Sequence, residues 1–132
     1  MGADEYRGLT AADVMLRAPK TLPSSVRVRD VRALLRNPSV QMVLLADDGV
    51  FQGAVTHLPD GALDEHDALS YAERHPESIT PTAPAEKAFE VTARSAFRRV
   101  VVLDEQSALV GLLCLNESRT RFCGGVRRNA TA

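Results

Sequence analysis

Residues 42–56 read MVLLADDGVFQGAVT and residues 99–114 read RVVVLDEQSALVGLLC. Each stretch is an apolar run, an aspartate, a turn, and a second apolar run that contains a glycine. The runs are rich in Val and Leu and short enough to be buried strands. Asp47-Asp48-Gly49 supplies the hairpin turn, with Gly at the left-handed position and Asp tolerant of it. Two antiparallel hairpins are therefore expected. Working outward, the same order of elements precedes both. Pro19, Thr21-Leu22 and a helical run Val28 to Arg36 lead into the first; Pro76, Ser78-Ile79 and a helical run Ala85 to Arg94 lead into the second. The prolines lie 57 residues apart, as do Asp47 and Asp104, whereas Gly53 and Gly111 lie 58 apart. The second hairpin loop has gained one residue. A repeat of this length is longer than a solenoid unit and too small to stand alone. Two such units should share one core, with any ligand or partner site where they meet.

Val28, Val31, Leu34 and Leu35 make one apolar helix face, which Asn37-Pro38 stops. Ala85, Ala88, Phe89, Thr92 and Ala93 do the same in the second unit, where Pro84 suits the first turn. Ser24-Ser25 can cap the first of these helices. Ahead of both units, Thr10 with Asp13, and Leu9 with Val14, predict a capped helix running to about Ala18, because Pro19 disfavours helical geometry before it. Leu58 to Gly61 is a turn followed by a short helix to His66. Asp67 should cap a helix from Ala68 to Arg74, and Asn116 to Phe122 should be a last short helix ending at Gly124-Gly125. Val126 to Ala132 has no apolar pattern and reads as a disordered tail.

Length and composition fit this plan. The chain has 132 residues, 45% of them hydrophobic and 25% charged, in the ordinary range for one globular domain. A net charge of −1 argues against a dedicated nucleic-acid binder. No stretch approaches the roughly 18 apolar residues of a membrane span. Met1 to Glu5 is acidic, without an apolar signal core, so a cytoplasmic location is expected. In that setting Cys114 and Cys123 should be free thiols, Cys114 a small core residue. They form no zinc spacing. His57, His66 and His75 recur every nine residues, but Pro59 and Gly61 interrupt them, and no metal site is expected. Arg119, Arg121, Arg127 and Arg128 make a basic end that reads as a solvated tail.

Taken together, the two units resemble a tandem pair of CBS domains, the Bateman module, of the stand-alone kind. The resemblance runs from about residue 9 to 124. It is carried by Asp13-Val14-Met15, Pro19, Thr21-Leu22, Asp47-Asp48-Gly49 and Gly53-Ala54-Val55-Thr56. In the second unit Pro76, Ser78-Ile79-Thr80-Pro81, Arg99 to Asp104 and Leu109 to Leu113 carry it. It implies an α/β (α+β) fold of two β-α-β-β-α repeats, residues 9–66 and 67–124, packed with pseudo-two-fold symmetry, and a tail at 125–132. It also implies a non-enzymatic regulatory sensor, commonly a homodimer, with AMP, ADP, ATP or S-adenosylmethionine in the cleft between repeats and no cofactor. An apolar helix face of Val28, Val31 and Leu35 with Ala85, Ala88 and Phe89 would serve the dimer. Ligand residues carried over onto this chain are Thr21, Leu22, Thr56, Asp60, Thr80, Arg99 and Glu117.

The family's last strand runs into Gly-hydrophobic-hydrophobic-Thr/Ser-x-x-Asp, whose hydroxyl and carboxylate suit a ribose and its phosphate. This chain departs from it twice. Thr56-His57-Leu58-Pro59-Asp60 keeps the hydroxyl but places the acid one residue late, a turn of about 100° on a helical start. Cys114-Leu115-Asn116-Glu117 keeps an acid but puts a weak hydrogen-bonding thiol in the hydroxyl's place. A CBS pair that has lost its ligand and serves only dimerisation or docking to an unidentified protein is the main alternative. A thiol-dependent enzyme is a third reading, for which no third catalytic group is evident.

Overall fold

The computed structural model describes residues 6–123. The tail expected at 125–132 and the glycines before it lie outside the described residues. The chain divides into two compact units: residues 20–76, and the segment up to residue 19 together with the segment from residue 77.

In the unit of residues 20–76, β2 (Thr21–Leu22) runs parallel to β3 (Val43–Asp47), which pairs antiparallel with β4 (Val50–Val55). Asp48 and Gly49 take positive φ, 52° and 82°, as the tight turn requires. α2 (Val28–Leu35) covers the sheet with its apolar stripe. Val31, Val43, Leu45, Val55 and Ala68 form the core. The other unit repeats this arrangement. β5 (Ser78–Ile79) runs parallel to β6 (Arg99–Leu103), β6 pairs antiparallel with β7 (Leu109–Cys114), and α3 (Ala85–Arg94) packs on them. Leu45 faces Gly53 and Val102 faces Gly111, and in each hairpin the register slips immediately after that pair. The strand order is the same in both repeats, as the sequence offset requires.

The lead-in segments explain the repeated glycine. The α1 turn (Ala11–Val14) is followed by β1 (Leu16–Arg17), which adds to β7 with Leu16 opposite Leu112 and Arg17 opposite Gly111. Glu73 does the same to β4: Ala54 N–H donates to Glu73 O (3.0 Å) and Glu73 N–H donates back to Ala54 O (2.8 Å). A Cβ on Gly53 would stand 2.9 Å from Ala72 Cβ and 3.2 Å from Glu73 O. A Cβ on Gly111 would overlap Met15 Sδ and approach Leu16 O to 3.0 Å. Both glycines are needed because a second backbone passes close over them. The lead-in of the first sequence repeat therefore packs in the unit that carries the second repeat's hairpin.

Several expected helices are shorter or absent, each because another pairing uses the backbone. The first ends at Val14, not Ala18, since Leu16 and Arg17 join a sheet. Ala68–Tyr71 is one 3-10 turn rather than a helix to Arg74, because Glu73 forms a bridge with Ala54. The stretch to His66 is not helical either. Its carbonyls take the opening N–H groups of α2, with Val28 N–H donating to His66 O (2.9 Å) and Arg29 N–H to Asp64 O (3.1 Å). Arg32 donates to Ala62 O (2.7 Å) and pairs with Asp64. Ser24-Ser25 does not cap α2. Arg27 is the N-cap, Asp30 accepts from its N–H (3.0 Å), and Ser24 turns to Asp47 instead. Residues 116–122 form a turn rather than a helix. Asn116 Oδ1 accepts from the N–H groups of Thr120 (2.9 Å) and Arg121 (3.3 Å), a side chain competing with the helical ladder.

The cysteines are not free. Cys114 and Cys123 form a disulfide. The helix face proposed for a dimer is also largely spent: Val28, Val31, Ala85 and Ala88 are fully buried inside their own units, leaving Leu35 and Phe89 half-buried.

Candidate functional site

Within residues 20–76, the sheet register brings Thr21 and Thr56 to one end. Thr21 is level with Leu44, near the start of β3. Thr56 follows Val55, which faces Val43 at that same start. Thr21 is exposed, Thr56 half-buried, and Asp60 exposed in the turn beyond. That turn closes through Ala62 N–H donating to Pro59 O (2.9 Å). Leu22 is half-buried and lines a groove of about 660 Å³ with Val26, Arg29 and Leu34. Thr21 and Thr56 thus present two hydroxyls at one sheet end, able to hydrogen-bond a polyol, with Asp60 in the turn that follows. Another cavity, about 500 Å³, is lined by Ser24, Arg27, Asp67, Ser70 and Arg74, and by none of the expected ligand residues.

The opposite end of this sheet is fixed by Asp47. Its carboxylate accepts from the Ser24 hydroxyl (2.5 Å) and the Ser24 N–H (3.0 Å). Those two bonds, the hydroxyl's first, hold the Asp47 pKa below the ordinary aspartate value. Asp104, the repeat's equivalent, instead accepts from Gln106 and Ala108 N–H (2.8 and 2.9 Å) across its own longer loop.

In the other unit, Arg99 opens β6 directly opposite Cys114. Glu117 is exposed in the loop that follows β7. Arg99 Nη1 donates to the carbonyls of Phe97 and Arg98, both at 3.3 Å. Burial, and then the Arg98 charge, lower its pKa, yet it stays a cation at neutral pH. Arg98 Nη1 donates to Leu115 O (2.9 Å), and Arg119 Nη2 donates to Ser95 O (3.2 Å). Three guanidinium groups therefore gather at the end of this sheet where Glu117 lies, a setting suited to an anionic group. Thr80 is not brought to them. Ser78 is level with Val101 and Ile79 with Val102, so Thr80 continues toward the hairpin end, about 13 Å along the strand from Arg99. The residue equivalent to Thr21 is Ser78, 57 positions on; the offset itself was the signal that identifies it. Arg119 was legible only as part of a basic end, since its contact with Ser95 is non-local. Among the described residues no cluster of three or more His, Cys, Asp or Glu could hold a metal, and no helix is long and apolar enough to cross a membrane.

Paired β-α-β-β units of this kind, each sheet extended by a lead-in segment, define the class of CBS-pair folds. Solved structures match it at low identity. The CBSX2 protein of Arabidopsis thaliana, in complex with AMP, is 20% identical with a TM-score of 0.68, over 86% of this chain and 93% of that one. A CBS domain-containing protein of unknown function from Bacillus anthracis is 13% identical with a TM-score of 0.70, over 84% and 90%. The CBS domain of a bacterial CNNM/CorC-family Mg2+ transporter, in complex with ATP, is 16% identical with a TM-score of 0.64, over 83% and 84%. Residues 68–117 match the family model described as the CBS domain. That match lies in the second repeat, and the solved structures share the fold over most of the chain. No curated protein matches it by sequence.

Proposed function

We propose that this protein is a regulatory sensor rather than an enzyme, and that it binds an adenosine-type ligand: AMP, ADP, ATP or S-adenosylmethionine. The reading is supported by one observation: Thr21 and Thr56 come to one end of a sheet whose fold is shared with proteins solved with AMP and with ATP. A cytoplasmic homodimer completes the reading, tested by light scattering at micromolar concentration. The site at Thr56 and Asp60 dominates, because it keeps both a hydroxyl and a carboxylate. Removing one partner of a charge-assisted hydrogen bond costs about 1.5–3 kcal/mol, roughly ten- to a hundred-fold in affinity. Asp60→Ala should weaken AMP binding by that factor in calorimetry, and Glu117→Ala by less. Equal losses would point to a shared site. No loss from Asp60→Ala would remove Asp60 from the site.

The rival reading, a ligand-free dimerisation or docking module, is favoured by a specific feature of the second repeat. Cys114 stands where the family has a hydroxyl, and its sulfur is committed to a disulfide, so it donates no hydrogen bond to a ribose. Failure of every adenosine compound to bind would establish that rival.

A further inference from the structure

Cys114 ends β7 and is 5% exposed, whereas its disulfide partner Cys123 is exposed. The chain between them carries Glu117 and Arg119 on its exposed turn. Besides the Arg119–Ser95 contact, three features tie this loop down. Asn116 folds it locally through the N–H groups of Thr120 and Arg121. Phe122 is 3% exposed and packs edge-on to Tyr6 and Phe89, ring centroids 5.0 and 5.7 Å away. The disulfide, with Cys123 N–H donating to Cys114 O (2.7 Å), fixes the loop's far end to the last residue of β7. That residue sits opposite Arg99. The loop's anchor is thus a bond with one accessible sulfur-bearing residue at the edge of the guanidinium cluster.

We propose that Cys114–Cys123 is a thiol-responsive strap that sets the position of loop 115–122 and hence of Glu117 and Arg119; its link to the ligand rests on the nucleotide-sensing reading above. The reductant is a dithiol, either a small molecule or a dithiol protein. One of its thiolates attacks Sγ of Cys123, the exposed residue of the pair, the S–S bond breaks, and Cys114 leaves as a thiolate that takes up a proton. The second thiol of the reductant then displaces Cys123 from the mixed disulfide. Two electrons and two protons pass to the cysteine pair, and the reductant becomes a disulfide. The freed loop keeps its Asn116 turn but loses its fixed end beside Arg99.

The test uses the whole chain, oxidised and then treated with millimolar dithiothreitol under native conditions, alongside Cys123→Ser. Reduction should yield two titratable thiols without denaturant. The amides of Thr120, Arg121 and Cys123 should then exchange hydrogen at least tenfold faster, while those of Leu44 and Leu45 keep their rates. AMP titration should show at least threefold weaker binding in the reduced chain, and Cys123→Ser should match the reduced form in both assays. A disulfide that survives dithiothreitol until the chain unfolds, or unchanged loop exchange after reduction, overturns the strap. Equal AMP affinity in the two states overturns its link to the ligand. If AMP binds neither form, faster loop exchange still supports the strap, and only the nucleotide-sensing reading fails.

Discussion

A methyl group added at Gly53 and one added at Gly111 meet different obstacles. At Gly53 the obstacle is a Cβ and a carbonyl oxygen, neither of which can swing aside; at Gly111 much of it is the thioether of Met15, which has other rotamers. Both substitutions overpack, at about 1–3 kcal/mol. Gly53→Ala should be the costlier of the two in denaturant unfolding, and the reverse order would mean that the Leu16 carbonyl, not Met15, controls the second site. Asp47 gives a pH-dependent prediction. Its folded pKa lies below its unfolded one, so it contributes stability above the ordinary aspartate pKa and loses that contribution as pH falls through the depressed value. The pair is near the surface, so the change in global stability is small. Ser24→Ala removes the leading cause, and the Asp47 carboxyl should titrate higher by NMR. At Cys123, replacement by Ser opens a short loop, for which chain entropy predicts a loss of about 2–3 kcal/mol in thermal unfolding under non-reducing conditions. No change on substitution would mean that Phe122 and Asn116 hold the segment by themselves.

Among the elements, α2 and α3 fill equivalent places with different volumes. Val31 and Ala88, 57 residues apart, are each fully buried. The second unit makes up the difference with the ring cluster of Tyr6, Phe89 and Phe122. Val31→Ala should cost about 2 kcal/mol through lost burial and a residual cavity. Ala88→Val should also destabilise, because no void awaits the added methyls. If Ala88→Val is neutral, α3 is free to move off its sheet. The hairpins and both helices were legible in the sequence because their signals are local: β-branched runs, an Asp-Gly turn, and apolar residues at helical spacing. The lead-in strands were not. Leu16-Arg17 and Ala72-Glu73 carry no strand pattern of their own; the first becomes a strand and Glu73 a single bridge only by pairing with residues outside their own segment. The Asn116 turn was misread as a helix start because a side chain, not the backbone, takes the N–H groups there. The disulfide had no spacing signature, and the assumption of a reducing compartment pointed away from it.

For the whole molecule, the offset between repeats carried the fold, and the family resemblance supplies the proposed function. The candidate site was only half legible. The register brings Thr21 and Thr56 to one sheet end, whereas Thr80 lies along its strand away from Arg99. The proposed function requires that the native chain bind an adenosine compound. The direct measurement is thermal unfolding of the oxidised protein with and without AMP, ADP, ATP and S-adenosylmethionine. A ligand that binds only the native state, at about 100 times its dissociation constant, stabilises by roughly 2.7 kcal/mol. A saturating, concentration-dependent rise in Tm is expected for at least one of the four, diminished in Asp60→Ala. An unchanged Tm with all four compounds at millimolar concentration would contradict it.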